Sequence, residues 1–334
     1  RFNPEAFQGV LVKEEDLKNT TYVFTLDDGT EVELTGDEQI EYDGEMHTAL
    51  FAIDEGFVAC DFELRTTDIV VAEGSAFIGA DNKIVKMNLN TFEIEAEVLL
   101  QGVRQLAYFD GMIYVTRGDY DPVTFGSIAF DSYLVWFDAE TLAWAGELPS
   151  EIGVGYASEG ISIKEGVAYI AINNGFEFGQ EVGVVGVYDL TTGEYSEHDL
   201  GEDGKNPTHI KVTDQEVLLV NNMDFSSTSL SRVELPSLGA VSASVNTVVV
   251  GGVAAGCNAA AVLGDELVFQ ITNELGLRKA SVSTLAPSTV TWGPATDSYY
   301  RMALNPVSGD VYATVTNFFD AAEVQIISAS GEYV

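Results

Sequence analysis

Residues 161–200 read ISIKEGVAYIAINNGFEFGQEVGVVGVYDLTTGEYSEHDL. Two alternating apolar runs meet at Glu165-Gly166, a polar loop follows, and two more runs meet around Thr191 to Gly193. Alternation marks half-buried strands, and an acid-glycine pair between two such runs marks a tight hairpin. This one stretch therefore predicts four antiparallel strands joined as a meander.

The pattern recurs along the chain. Further first hairpins are IVVAEGSAFIGA (69–80), LAYFDGMIYVT (106–116), IKVTDQEVLLV (210–220), AVLGDELVFQI (261–271) and MALNPVSGDVYATV (302–315). Their second hairpins are KMNLNTFEIEAEV (86–98), WFDAETLAWAGEL (136–148), RVELPSLGAVSASV (232–245), VSTLAPSTVTW (282–292) and IISASGEYV (326–334). A four-stranded unit repeated every ~40–50 residues predicts an all-β chain built as a β-propeller, because a twisted meander cannot bury both faces alone and stacks on its neighbours around an axis.

Six such units run from about Thr67 to Val334, the last without an obvious fourth strand. Before them lie two more hairpin patterns, TYVFTLDDGTEVEL (21–34) and TALFAIDEGFVACDFEL (48–64). A blade completed by strands from both chain ends hides a sheet edge, so these segments predict a seventh blade, with six or eight as alternatives. The domain reading is an irregular segment over 1–46, containing a hairpin able to close the ring, and a propeller over 47–334.

Fifty-three acids against 15 bases give a net charge of −38, yet only 20% of the chain is charged and 46% is hydrophobic, with 18 Phe, 14 Tyr and 3 Trp. That composition builds a core and excludes wholesale disorder. Its charge argues against nucleic acid and anionic lipid as partners, and leaves a solvated acidic coat or calcium sites as readings. Acid clusters at 14–17, 37–45 and 201–204 lack the regularity of a calcium loop. No cofactor is expected, with calcium the one kept open.

Cys60 and Cys257 fall in different units and do not make a disulfide framework. The chain opens at Arg1 without a basic-then-apolar leader, which suggests processing that removed a targeting peptide. The uncharged stretch from Val241 to Gly264 is interrupted by polar residues and glycines and reads as strand, loop and strand, not as a transmembrane span.

The segments ASEGISIKEGVAYIAIN (157–173), GKNPTHIKVTDQEVLLVNN (204–222) and YYRMALNPVSGDVYATVTN (299–317) resemble the YncE-like propellers, particularly the surface-lipoprotein branch of Bacteroidota. The resemblance implies seven blades, export to the cell surface with an outer-membrane anchor, and no established catalytic reaction. A distantly similar group, the BtuG-type cobalamin-capture proteins, binds corrinoids on the propeller face and passes them to a TonB-dependent transporter.

Propeller geometry brings the start of each inner strand and the loop between second and third strands to one face. Alignment of the repeats places Thr67, Arg104, Glu159, Thr208, Asn258 and Tyr300 at one position, followed by Asp68, Gln105, Gly160, His209, Ala259 and Arg301. This chemically mixed ring fits either a shaped ligand pocket or a merely solvated channel. His209, beside GKNP, reads more readily as a packed or hydrogen-bonded inner-strand residue than as a base or ligand. The second-to-third loops add Arg117, Tyr120, Phe176, Asn222 and Phe318 as candidate ligand contacts. The repeated Asn after each second strand suits an Asx turn. Arg117 also opens an Arg-Gly-Asp tripeptide of the kind used in receptor adhesion.

No nucleophile or zinc motif is present, and His47, His198 and His209 fall on separate units. A lactonase-like calcium site could use Glu159 and Asn258, but Arg104 and Arg301 beside them oppose a cation. The expected function is non-enzymatic capture of a small organic ligand at the cell surface beside an outer-membrane transporter. The alternative is a structural or adhesive module that binds other surface proteins.

Overall fold

The computed structural model describes residues 21–25, 31–35, 39–42, 45–48, 66–80, 82–225, 227–235, 244–251, 260–271, 274–288, 291–294, 297, 299–305, 307–315 and 323–334, with backbone only through residue 48 and at Tyr300. The chain divides into two compact units, Arg1–Arg65 and Thr66–Val334. In the first, β1 (Thr21–Thr25) pairs with β2 (Glu31–Thr35), and β3 (Gln39–Tyr42) pairs with β4 (Glu45–Thr48), each as a separate two-stranded sheet.

The second unit is the propeller. Blade 1 is β5 (Thr66–Ala72), β6 (Ser75–Ala80), β7 (Lys83–Asn88) and β8 (Ile94–Leu99); blade 2 is β9 (Val103–Phe109), β10 (Met112–Arg117), β11 (Ser132–Asp138) and β12 (Trp144–Pro149). Blade 3 is β13 (Ser158–Lys164), β14 (Val167–Ile172), β15 (Val184–Asp189) and β16 (Tyr195–Asp199). Blade 4 is β17 (Pro207–Val212), β18 (Glu216–Asn221), β19 (Thr228–Glu234) and β20 (Val245–Gly251).

Blades 5 and 6 are three-stranded among the described residues: β21 (Ala260–Leu263), β22 (Glu266–Phe269) and β23 (Arg278–Ser281), then β24 (Tyr299–Leu304), β25 (Val311–Val315) and β26 (Glu323–Ile327). Isolated bridges at Leu277–Trp292 and Ala280–Pro287, and at Ile327–Tyr333, stand where fourth strands would lie.

Six blades, not seven, are therefore the architecture. The seventh blade required strands from both chain ends to pair in one sheet. Instead, the N-terminal hairpins at 21–48 pair within themselves, and each blade draws its strands from one continuous stretch. The hairpin at 48–64, like both cysteines, lies outside the described residues.

Local chemistry makes each meander. At Glu165-Gly166 the backbone φ values are 47° and 85°, the paired positive values of the turn whose twist matches antiparallel strands. Between third and fourth strands an Asx turn recurs: the Asp189 carboxylate accepts the amides of Thr191 and Thr192 at 2.8 and 3.0 Å, and Asp138 does the same for Glu140 and Thr141 at 3.1 and 2.8 Å.

Packing then turns meanders into a ring. Leu106, Ile161, Ile210, Ala260 and Met302 occupy one repeated position on the inner strands of blades 2 to 6, and each joins the apolar cluster shared with the preceding blade. Ile69 holds that position on blade 1 and is 58% exposed, against 7% for Ile161. Val71 on the same face, and Tyr312 and Val324 on blade 6, are exposed too. Blades 6 and 1 meet instead near the axis, where Arg301 Nη2 donates to the Thr67 carbonyl at 3.3 Å.

This asymmetry is testable by substitution at one repeat position. Ile161→Ala is expected to cost ~2–5 kcal/mol, the range for a buried aliphatic truncation. Ile69→Ala should cost under ~0.5 kcal/mol, as at an uncovered surface position. Urea unfolding measures both, and equal costs would mean that the outer face of blade 1 is covered.

Candidate functional site

The inner strands approach so closely that side-chain volume decides what occupies the axis. A Cβ on Gly160 would lie 2.9 Å from Ile210 Cγ2 and 3.0 Å from the Ile210 backbone nitrogen, so only glycine fits where blade 3 meets blade 4. With no side chain there, Gln105 Nε2 reaches from blade 2 to the Thr208 carbonyl of blade 4 at 3.2 Å. From the other side, Arg301 Nη1 lies 2.9 Å from His209 Nε2. The axial ring is therefore crossed by hydrogen bonds joining blades 2 and 4, 4 and 6, and 6 and 1.

A guanidinium only donates, so His209 Nε2 accepts and the proton of the neutral ring sits on Nδ1. Burial holds the His209 imidazole well below its ordinary pKa, and the positive charges of Arg301 and Lys211 push the same way. Burial raises the Asp68 carboxyl, offset in part by the Leu106 amide that donates to it at 2.9 Å and by Arg301. Of the aligned ring, Asp68, Gln105, Gly160, His209 and Arg301 thus hold the blades together, and His209 is a packed hydrogen-bond acceptor.

A second group of residues gathers at the start of the inner strands of blades 2 and 3 and on the loops of blades 2, 3 and 4. Arg104 on β9 binds Glu159 on β13, with Nη2 and Nε at 2.7 and 2.8 Å from one carboxylate oxygen. The Arg104 guanidinium stands 5.0 Å from the Phe176 ring centroid. Thr116 Oγ1 accepts the Gln105 amide at 3.0 Å and donates to the Glu159 carbonyl at 2.6 Å, fixing the two inner strands beneath the pair.

Phe176 stacks on Tyr120 at 6.1 Å, and Tyr120 stacks on Phe125 at 6.3 Å, with planes 18° and 11° apart. Gly118 permits this, since a Cβ there would lie 2.7 Å from the Phe176 ring. Beside the ladder, Phe178 of blade 3 meets Phe225 of blade 4 at 5.7 Å. Phe125 and Phe178 remain 68% and 73% exposed.

The other candidates divide clearly. Arg117 turns back into its own blade: Nε donates to the Gln101 carbonyl and Nη1 to the Ser132 carbonyl, both at 3.1 Å, and its guanidinium covers Phe130 at 3.9 Å. Asp119 is bound by Gln101 Nε2 at 3.0 Å, so both charged groups of the Arg-Gly-Asp tripeptide are engaged within blade 2. Asn222 is buried, and its amide donates to the Asn206 carbonyl at 2.8 Å. Asn173 makes the expected Asx turn, accepting the Gly175 amide at 3.0 Å.

Tyr300 contributes its backbone to β24, while Asn258 and Phe318 lie outside the described residues. Glu159, offered as a calcium ligand, is engaged by Arg104. Among the described residues no group of three or more His, Cys, Asp or Glu side chains could hold a metal ion. No helix among them is long and apolar enough to cross a membrane. Sequence reasoning overlooked Phe125 and Thr116; an aromatic five residues from Tyr120 in an aperiodic loop carries no spacing signal, and a strand threonine reads as an ordinary β-former.

No protein-family model and no curated protein sequence matches this chain. Solved structures do. The hydrazine synthase of Kuenenia stuttgartiensis aligns with a TM-score of 0.62 at 14% identity, over 83% of this chain and 80% of that one. The Cps50 (Swd1) β-propeller domain of Myceliophteria thermophila aligns at 0.56 and 12% identity, over 75% and 80%. The computationally designed Ika8 protein aligns at 0.51 and 11%, over 80% and 72%. At such identities the likeness is one of fold.

The buried imidazole makes a pH prediction. A histidine in the unfolded chain takes up its proton near pH ~6.5, whereas folded His209 resists it. The resulting stability is present above ~6.5 and is lost as pH falls from there toward the folded value, by at most ~1.4 kcal/mol per pH unit. Urea unfolding of the wild type at pH 7 and 5.5 should show this loss. His209→Gln, which keeps an acceptor for Arg301, should remove most of it, leaving the smaller part due to half-buried His198.

Proposed function

We propose that this propeller is a non-enzymatic binding protein that takes up a flat, partly apolar organic ligand on its loop-rich face. The observation supporting this is the stacked ladder Phe125–Tyr120–Phe176 ending at the Arg104–Glu159 pair. Phe125, at the open end of the ladder, offers a ring face and Tyr120 beside it an exposed edge to a planar guest, each such contact worth ~0.5–1.5 kcal/mol beyond burial. The ion pair supplies donor and acceptor atoms for a polar edge of the same guest.

The reading moves recognition off the axis. Arg301 and His209 bind each other, so we place this ligand over blades 2 and 3 and not against those two side chains. Resemblance to the surface-lipoprotein propellers supports the setting we propose, at the cell surface beside an outer-membrane transporter, and a corrinoid-like nutrient as the class to try first.

One observation favours a second reading. Val123, Ile152 and Tyr156 are exposed on nearby loop segments of the same blades, adding to Phe125 and Phe178. Apolar side chains of that number on one face also suit a partner protein in a surface assembly.

A panel of corrinoids, haems and glycans, read by thermal shift and then by titration, separates the two. A ligand is expected to raise the melting temperature, and Tyr120→Ala or Phe125→Ala should weaken it about tenfold each, ~1.4 kcal/mol. No shift with any class, together with a stoichiometric protein partner whose binding is lost in Phe125→Ala, would replace this reading with the second.

A further inference from the structure

We propose that the axial channel holds an oxyanion site centred on Lys211, distinct from the aromatic face and taking a small carboxylate or phosphate. In a chain with a surplus of 38 acids, a lysine without a carboxylate within ion-pair distance is the exception. Lys83, Lys86, Lys164, Lys205 and Lys279 each lie within ion-pair distance of a carboxylate: Glu97, Glu95, Asp214, Glu202 and Glu266 respectively. Lys211 alone among the described lysines has no such partner.

Its position explains why. Lys211 follows His209 by two residues on β17 and therefore shares its side of the strand. The same repeat position carries Val70, Ala107, Ser162, Ala261 and Ala303 on the other inner strands. One long cationic side chain thus projects at a level where the other blades present uncharged, mostly small residues. Lys211 keeps a solvent-accessible side chain although it belongs to an inner strand.

The nearby charges leave this level positive. Arg301 bears one positive charge whose donors serve His209 and Thr67. Asp68 is the acid facing both cations, and its carboxylate accepts the Leu106 amide at 2.9 Å. Two cations thus face one acid already engaged by backbone. An oxyanion at the Lys211 ammonium would take up its three donors and balance the charge. Partial desolvation by the surrounding strands lowers the Lys211 pKa in the free protein, with Asp68 opposing the shift and Arg301 adding to it, so a bound anion should raise it.

The test uses the full chain with inorganic phosphate and with acetate, each replacing chloride at constant ionic strength. A saturable rise in melting temperature with either anion is expected. Lys211→Met should weaken that binding at least about tenfold, Lys211→Arg should retain it, and Tyr120→Ala should leave it unchanged. Should Lys211→Met not fold, the Lys211 side-chain resonances of the wild type report directly: its pKa should rise on saturation. No saturable effect of either anion, an equal effect in Lys211→Met, or Lys211 resonances unmoved by both anions would overturn the proposal. Loss of this site with the aromatic face intact, or the reverse, tells its failure apart from failure of the ligand-capture reading.

Discussion

A four-stranded meander has two apolar faces, and everything else in this molecule follows from the need to cover both. Leu106, Ile161, Ile210 and Met302 stand at one repeated position and each closes onto the blade before it. Burying aliphatic surface at ~25 cal/mol per Å² favours adding blades until the last meets the first. At Ile69 the series ends on an exposed face, and the ring is joined there through the polar contact of Arg301 with Thr67. The blade interface that closes the circle thus differs in kind from the five apolar clusters among the described residues.

Crowding at the centre sets the chemistry of the site. Inner strands close enough to demand Gly160 bring backbone carbonyls toward the axis, and buried carbonyls need donors. Gln105 and Arg301 supply them and spend their side chains on other blades. Residues that a linear alignment ranks together as pocket lining therefore separate into axial braces and, one position earlier on the inner strands, the Arg104–Glu159 pair with its aromatic ladder. Lys211 lies past the braces along its inner strand, close to charge but without a carboxylate within ion-pair distance among the described residues.

Much of the fold was legible because the signals were local. Acid-glycine turns, alternating runs and Asx turns act within ten residues, and the positive φ values at Glu165-Gly166 and the amides gathered by Asp189 are their direct expression. Blade number was less legible, since it depends on whether strands from opposite ends of the chain pair. β1 pairs with β2 and β3 with β4, at no cost in long-loop closure, and no spacing rule reveals that choice. In the site, the sequence named Arg104, Glu159, Tyr120 and Phe176 among its candidates, and the structure brings these four together. The sequence could not tell that Arg117 folds back onto Phe130, because an arginine beside a glycine looks equally free and bound.

By itself, the sequence determined that the chain folds as repeated antiparallel meanders with an acidic exterior, since period, turn residues and net charge are properties of neighbours along the chain. Tertiary structure alone decided that six blades form the ring, that Arg301 meets His209 across 92 positions of sequence, and that the aromatic ladder stands beside an ion pair. Those outcomes depend on volume and distance between segments remote in sequence. Glycine at 160 permits one such approach, since a Cβ there would meet Ile210 of the next blade.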